Sequence, residues 1–239
     1  MDMSRGIGIT ERGDAGLDFS WVSKIGSHLF NILITKNLNG DFIKRVIGRD
    51  NIIVHATITG YGGSKLEPNV PTPDWSFHQL GKLIKQGFPI DRFVLRVDPI
   101  FTSEKGLRSS IEIMQRGIDI GIKRIRFSFI DTHYKHLQKR FHDSNIKLPP
   151  STLTQAQRES LRAFITRNQS IVFESCAEGL DIDAGCISAR DYTLFGLQPD
   201  SKDINGQQRR NCKCLTCKVE LLNQRKRCLH QCLYCYWRD

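Results

Sequence analysis

Strand-type runs alternate with helical runs along most of this chain, and that alternation restricts the fold more than any other feature. The runs are Ile7–Thr10, Asn31–Lys36 (NILITK), Ile52–Thr59 (IIVHATIT), Phe93–Asp98 (FVLRVD), Arg124–Asp131 (RIRFSFID) and Ser170–Cys176 (SIVFESC), with a weaker one at Val219–Asn223 (VELLN). They are rich in β-branched and aromatic residues, and most stop at polar or turn residues. Between them lie helical patterns. Asp74–Gln86 follows a loop with Pro71 and Pro73 and has Asp74 as its expected N-cap. Ser103–Gly121 spaces Leu107, Ile111, Met114 and Ile118 along one face, and Thr154–Asn168 does the same with Leu161, Phe164 and Ile165. Strands this apolar, each followed by a helix, predict an α/β fold with a parallel sheet. The sheet is either covered on both faces or curled into a partial or closed TIM-like β/α barrel.

In such a barrel the active site lies at the C-terminal strand ends. The polar residues there are Thr10, Glu11, Arg12, Thr35, Lys36, Asn37, Thr57, Thr59, Arg96, Asp98, Ser128, Asp131, Glu174 and Glu178. Singly, each reads as an ordinary strand-end cap; as a ring they outline a site. No apolar run approaches the roughly 18–20 residues of a membrane helix. The opening MDMSRGIGITERGD has no apolar core of a secretory signal, so a cytoplasmic protein with reduced thiols is expected.

Eight cysteines in a reducing compartment point to metal or redox chemistry before disulfides. Three of them, Cys228, Cys232 and Cys235, form C-x3-C-x2-C in CLHQCLYCYWRD, with Tyr234 just before the last. A tetrahedral zinc site usually needs four ligands. Three thiolates in a short loop can instead hold three irons of a cubane cluster and leave the fourth iron open. The same region is basic. Residues 207–239 carry eight lysines and arginines against two acids, a net +6 of the total +10. An anionic partner there, a nucleotide or nucleic acid, fits that surplus, although charge runs commonly only solvate a surface.

The C-x3-C-x-aromatic-C pattern resembles the signature of the radical S-adenosylmethionine superfamily. That resemblance implies a 4Fe–4S cluster on Cys228, Cys232 and Cys235, with S-adenosylmethionine chelated at the open iron. One-electron cleavage then yields a 5′-deoxyadenosyl radical, and a flavodoxin- or ferredoxin-like electron donor is implied as partner. The superfamily's partial or full β/α barrel agrees with the alternation read above. In most of the superfamily the cysteine loop follows the first strand, whereas here it sits at the other end. In this the chain is similar to a microbial family labelled spore-photoproduct-lyase-like, whose activity is undefined. Its blocks appear as TITGYGGSKLEPNVP (Thr57–Pro71), RVDPI (Arg96–Ile100), SFIDTHYK (Ser128–Lys135), CAE (Cys176–Glu178) and QRRNCKC (Gln208–Cys214). The resemblance implies a circular permutation, with Val219–Asn223 beside the N-terminal strand. The segment Thr10–Asp14 then stands where the superfamily binds the cofactor amino group, although T-E-R-G-D departs from the usual Gly-Gly-Glu. Tyr234, Thr10, Glu11, Thr57, Thr59, Arg96, Asp98 and Ser128 become candidate cofactor-binding residues. No catalytic acid, base or nucleophile is assigned.

The resemblance also groups Cys176, Cys186, Cys212 and Cys214 as a second set, suited to an auxiliary 4Fe–4S cluster or a zinc ion. Cys176, at a strand end, reads equally as a small buried hydrophobe, and Cys217 is uncommitted. The rival is a non-enzymatic, zinc-ribbon-type nucleic-acid-binding protein built on Cys214-x2-Cys217 and Cys232-x2-Cys235. That reading leaves Cys228 unused. His133, His136 and His142 fall in a basic helical stretch, HYKHLQKRFHD, that reads as a solvated or anion-facing surface. No phosphate-binding Walker loop, dinucleotide fingerprint or Ser-His-Asp arrangement is present. Two parts are expected: a barrel over residues 1–204 and a cysteine-rich segment over 205–239 packed on it, joined by a linker near Gln198–Gln208.

Overall fold

The computed structural model describes residues 6–199, 212–215, 218–222 and 228–236. Most of the expected linker, the 204/205 boundary, Cys217 and the basic residues at 209, 210, 225–227 and 238 lie outside the described residues.

Seven strands form one all-parallel sheet: β1 (Ile7–Ile9), β2 (Asn31–Thr35), β3 (Ile52–Thr57), β4 (Phe93–Ile100), β5 (Arg124–Phe129), β6 (Val172–Ser175) and β7 (Lys218–Glu220). Their spatial order is β6-β5-β4-β3-β2-β1-β7. The last strand in sequence thus lies beside the first, with Ile7 opposite Lys218 and Ile9 opposite Glu220. β6 and β7 are the two edges, and no ladder joins them among the described residues. Among the described residues the ladder therefore runs as seven parallel strands from β6 to β7.

The helices are α1 (Gly40–Val46), α2 (Pro73–Lys85), α3 (Glu104–Asp119), α4 (Lys135–Asp143), α5 (Gln155–Arg167) and α6 (Ala189–Thr193). Their starts follow side-chain caps. Thr72, not Asp74, caps α2 by accepting from the Trp75 N–H. Asp74 sits in the first turn, where its charge meets the positive end of the helix dipole. Ser103 caps α3, and Thr154 with Gln157 closes a capping box on α5. α1 went unread in the sequence because seven residues are too few to show a 3.6-residue period.

Alternation along the strands sorts side chains to two faces. Val54, Leu95, Val97, Ile125, Phe127 and Phe173 pack with the apolar sides of α1, α2, α3 and α5 in the main core. On the opposite face Ile7, Ile9, Ile32, Ile53 and Val94 form a second cluster with Phe30, Tyr192, Cys186, Cys212 and Cys214. Across β4, β5 and β6 this inner face turns polar. Arg124, Arg126 and Ser128 follow one another along β5, and Arg96 and Asp98 along β4. Buried arginines need counter-charges. Glu174 of β6 lies 2.9 Å from Arg124 and 2.7 Å from Arg126, and Asp191 of α6 lies 2.5 Å from Arg124. No helix among the described residues is long and apolar enough to cross a membrane.

Candidate functional site

A cavity of about 650 Å³ opens at the C-terminal ends of the strands. All seven described cysteines line it: Cys176, Cys186, Cys212, Cys214, Cys228, Cys232 and Cys235. Of the other sequence candidates, Glu11, Thr57, Arg96, Asp98, Ser128 and Tyr234 line it as well. Thr10 and Thr59 do not. The Thr10 hydroxyl accepts from Ile34 N–H at 2.8 Å and so stays within the β1–β2 seam. Thr59 donates to Glu67 at 2.7 Å, and neither residue lines the cavity.

The 228–236 loop is tied down along its length. His230 Nε2 lies 2.8 Å from Asp14 Oδ2, and its Nδ1 lies 3.1 Å from the Asn69 carbonyl oxygen. Asn69 donates its side-chain amide to Leu229 O at 2.7 Å, and Leu233 N–H donates to Leu66 O at 2.9 Å. Arg140 of α4 donates to Cys235 O at 2.6 Å, and Tyr236 OH accepts from Asp131 N–H at 3.1 Å. Between Cys228 and Cys232 the chain turns through Gln231, whose φ of 52° is left-handed. The three sulfurs lie near enough to influence one another electrostatically. Burial pushes the Cys228 thiol up to about 11 and Cys232 to about 12. Both thiols are thus held in the protonated, neutral form at neutral pH.

Two buried acids anchor this loop, and neither was a candidate from the sequence. Asp14 accepts from Thr35 Oγ1 at 2.6 Å, Lys36 N–H at 2.6 Å and Gly16 N–H at 2.8 Å besides facing His230. Burial alone would raise its carboxyl, but His230 and these donors hold it below the ordinary range. Glu67 receives Lys36 Nζ at 2.8 Å and the Tyr234 hydroxyl. Lys36 Nζ also donates to the Tyr234 hydroxyl oxygen at 3.0 Å. Burial would raise Glu67 too, but the Lys36 charge outweighs it and holds the carboxyl low. Lys36 stood in the strand-end ring, and Glu67 and Asp14 lay inside the LEPN and TERGD blocks. Pairing across 216 residues, as for Asp14 and His230, leaves no local sequence signal.

At the β4–β5 edge of the cavity, Asp98 pairs with Arg96 and accepts from Ser128 Oγ at 2.5 Å. Burial would raise Asp98, and Arg96 pulls it net downward. The other four cysteines meet on the inner face. Cys186 N–H donates to Cys214 Sγ at 3.1 Å. The thiols of Cys176 and Cys214 donate to Cys186, holding it well below the ordinary cysteine range, while Cys214, as donor, is raised. Cys214 also contacts Cys212. Cys217, one of the four zinc-ribbon ligands expected from the sequence, lies outside the described residues. Cys214 packs in the inner apolar cluster, whereas Cys232 packs with Phe101, Phe141 and Tyr234.

No match was found among curated proteins. Among solved structures, Streptococcus suis SuiB bound to precursor peptide SuiA is similar at 12% identity and a TM-score of 0.45, over 68% of this chain and 35% of that one. SuiB bound to S-adenosylmethionine is similar at 14% identity and 0.40, over 64% and 32%. SuiB alone is similar at 10% and 0.44, over 68% and 36%. The chain thus spans about a third of the length of these SuiB chains. The family model described as "Domain of unknown function (DUF1848)" matches residues 30–237, from the approach to β2 through the cysteine loop, and the chain belongs to that family.

Proposed function

We propose that this protein is a radical S-adenosylmethionine enzyme whose 4Fe–4S cluster sits on Cys228, Cys232 and Cys235. The observation that carries this reading is that a three-thiolate loop, pinned at His230, Leu229, Leu233 and Cys235, faces a cavity large enough for a cofactor and a substrate. Bound there, the cluster and S-adenosylmethionine supply a carbon-centred radical that abstracts a substrate hydrogen. The residues of this chain position and enclose. Asp14 and His230 fix the loop, and Glu67 with Lys36 holds the Tyr234 hydroxyl, so the ring stays packed against Phe101 at 5.6 Å between centroids. Arg96, Asp98, Ser128 and Thr57 offer hydrogen-bonding groups for the polar parts of the cofactor, and Thr10–Asp14, the expected amino-group segment, reaches the cavity through Glu11, Arg12, Gly13 and Asp14. Cys176, Cys186, Cys212 and Cys214 gather at the same cavity as the thiols available to a second metal centre.

The net +6 of residues 207–239 supports an anionic substrate, a nucleotide or nucleic acid. The reducing electron comes from a flavodoxin- or ferredoxin-like donor. Anaerobic purification tests the reading. Iron, inorganic sulfide and visible charge-transfer absorption are expected in the parent protein, with the share due to the loop lost in Cys228→Ala, Cys232→Ala and Cys235→Ala. A colourless protein containing zinc and no iron would count against it.

A further inference from the structure

The second centre is not four equivalent thiols. Cys186 contacts Cys176 and Cys214, and Cys214 contacts Cys212. Among the described residues, the metal-binding side chains whose donor atoms all lie within 4.8 Å of one another are Glu11, Cys186 and Cys214. The carboxylate therefore occupies a corner common to both central sulfurs, and Cys176 and Cys212 each flank one of them.

This corner is built by three separate parts of the chain. Glu11 follows β1. Lys218, at the start of the neighbouring strand β7, holds Glu11 Oε2 at 2.9 Å and turns it to the same face. Gly185 lets the segments carrying Cys186 and Cys214 touch. A Cβ there would stand 2.5 Å from Cys214 Cα and 2.5 Å from Lys213 O, so no other residue fits without moving the backbone. Cys186 and Cys214 are both buried.

We infer that Glu11 is a metal ligand, and that the second centre is a single divalent ion of the zinc class held by Cys186, Cys214 and Glu11, with a flanking thiol in the fourth position. Zinc accepts thiolate at about 2.3 Å and carboxylate at about 2.0–2.2 Å, which in a tetrahedron sets neighbouring donors roughly 3.5–3.8 Å apart. Side-chain adjustments bring the three donors from their present spacing to that value. Thiolates on different irons of a cluster stand farther apart than thiolates on one ion, and contact between Cys186 and Cys214 fits the single ion. Lys218 and Arg96 offset the negative charge of such a ligand set.

This inference rests on the second-centre reading above, so the first centre is removed in its test. In a Cys228→Ala/Cys232→Ala/Cys235→Ala protein, prepared anaerobically and stripped of metal, zinc and cobalt(II) are titrated against a competing chelator. Its failure is then distinct from a failure of the radical reading. A single ion per chain is expected, with cobalt–thiolate charge-transfer bands. Glu11→Gln is expected to weaken binding roughly tenfold or more. Lys218→Met removes the ion pair that turns Glu11 to the site but keeps the carboxylate ligand, so it is expected to weaken binding clearly less than Glu11→Gln does. Four outcomes overturn the inference: unchanged affinity in Glu11→Gln, equal losses in Glu11→Gln and Lys218→Met, an iron–sulfide chromophore in the triple variant, or a Cys186–Cys214 disulfide.

Discussion

Asp14 shows how much a single carboxylate does here. It is buried, collects three donors from the loop after β1 and from the end of β2, and turns one oxygen to His230, inside the C-x3-C stretch. Groups that orient metal ligands without binding metal commonly govern how firmly the metal is held. Asp14→Asn keeps the shape and removes the charge. It is expected to leave the fold intact and to shed iron about tenfold faster under chelator challenge, read as iron per chain over time. Glu67 is the second such residue. In Glu67→Gln the Lys36 ammonium keeps its burial and loses its counter-charge, and the Tyr234 hydroxyl loses a charged acceptor. A loss of roughly 3 kcal/mol in urea unfolding of the metal-free protein is expected, the cost typical of stranding one partner of a buried pair. A loss under 1 kcal/mol would show that water in the cavity already solvates Lys36.

Elements were legible where periodicity was long. Each of the seven expected strands has its counterpart, with ends shifted by a few residues, because β-branched runs flanked by turn residues describe themselves locally. α2, α3 and α5 follow their apolar faces for the same reason, whereas α1 and α6 are too short to be seen. What joins the elements was not legible, since ion pairs between strands carry no sequence spacing. The Arg124–Arg126–Glu174–Asp191 network, which locks β5, β6 and α6 together on the inner face, is the main case. Burial alone would lift the Glu174 carboxyl, but Arg126 and Arg124 reverse this and hold it below the ordinary value of 4.5. A carboxyl with a lower value folded than unfolded stabilises fully above the unfolded value, and that contribution is lost as pH falls through the folded one. Stability of the parent should therefore drop on acidification below about pH 4.5, and Glu174→Gln should flatten that acid limb. At neutral pH the same substitution should cost about 3–5 kcal/mol, because two buried guanidiniums lose their shared anion. An acid limb of unchanged slope in Glu174→Gln would contradict the assignment. The loop 60–71, which carries Glu67, depends on Gly62 in turn. A Cβ there would stand 1.9 Å from Pro71 O, so Gly62→Ala is expected to displace Glu67 and lower iron retention along with stability.

At the scale of the molecule, a chain that sends its last strand back beside its first brings cysteines from residues 176 to 235 around one cavity. The C-x3-C-x2-C motif pointed to three of them, and the family-like blocks to the others. The sequence could not show that Glu11 would join Cys186 and Cys214, because that meeting depends on β1 and β7 lying side by side. The central claim is that the 228–236 loop holds a cluster that cleaves S-adenosylmethionine. The most direct test is a single-turnover assay of cluster-loaded, chemically reduced protein, with products separated by chromatography. Formation of 5′-deoxyadenosine and methionine in equal amounts, abolished in Cys232→Ala, is the predicted result. Intact S-adenosylmethionine after reduction of a fully loaded cluster, or cleavage that persists in Cys232→Ala, would contradict it.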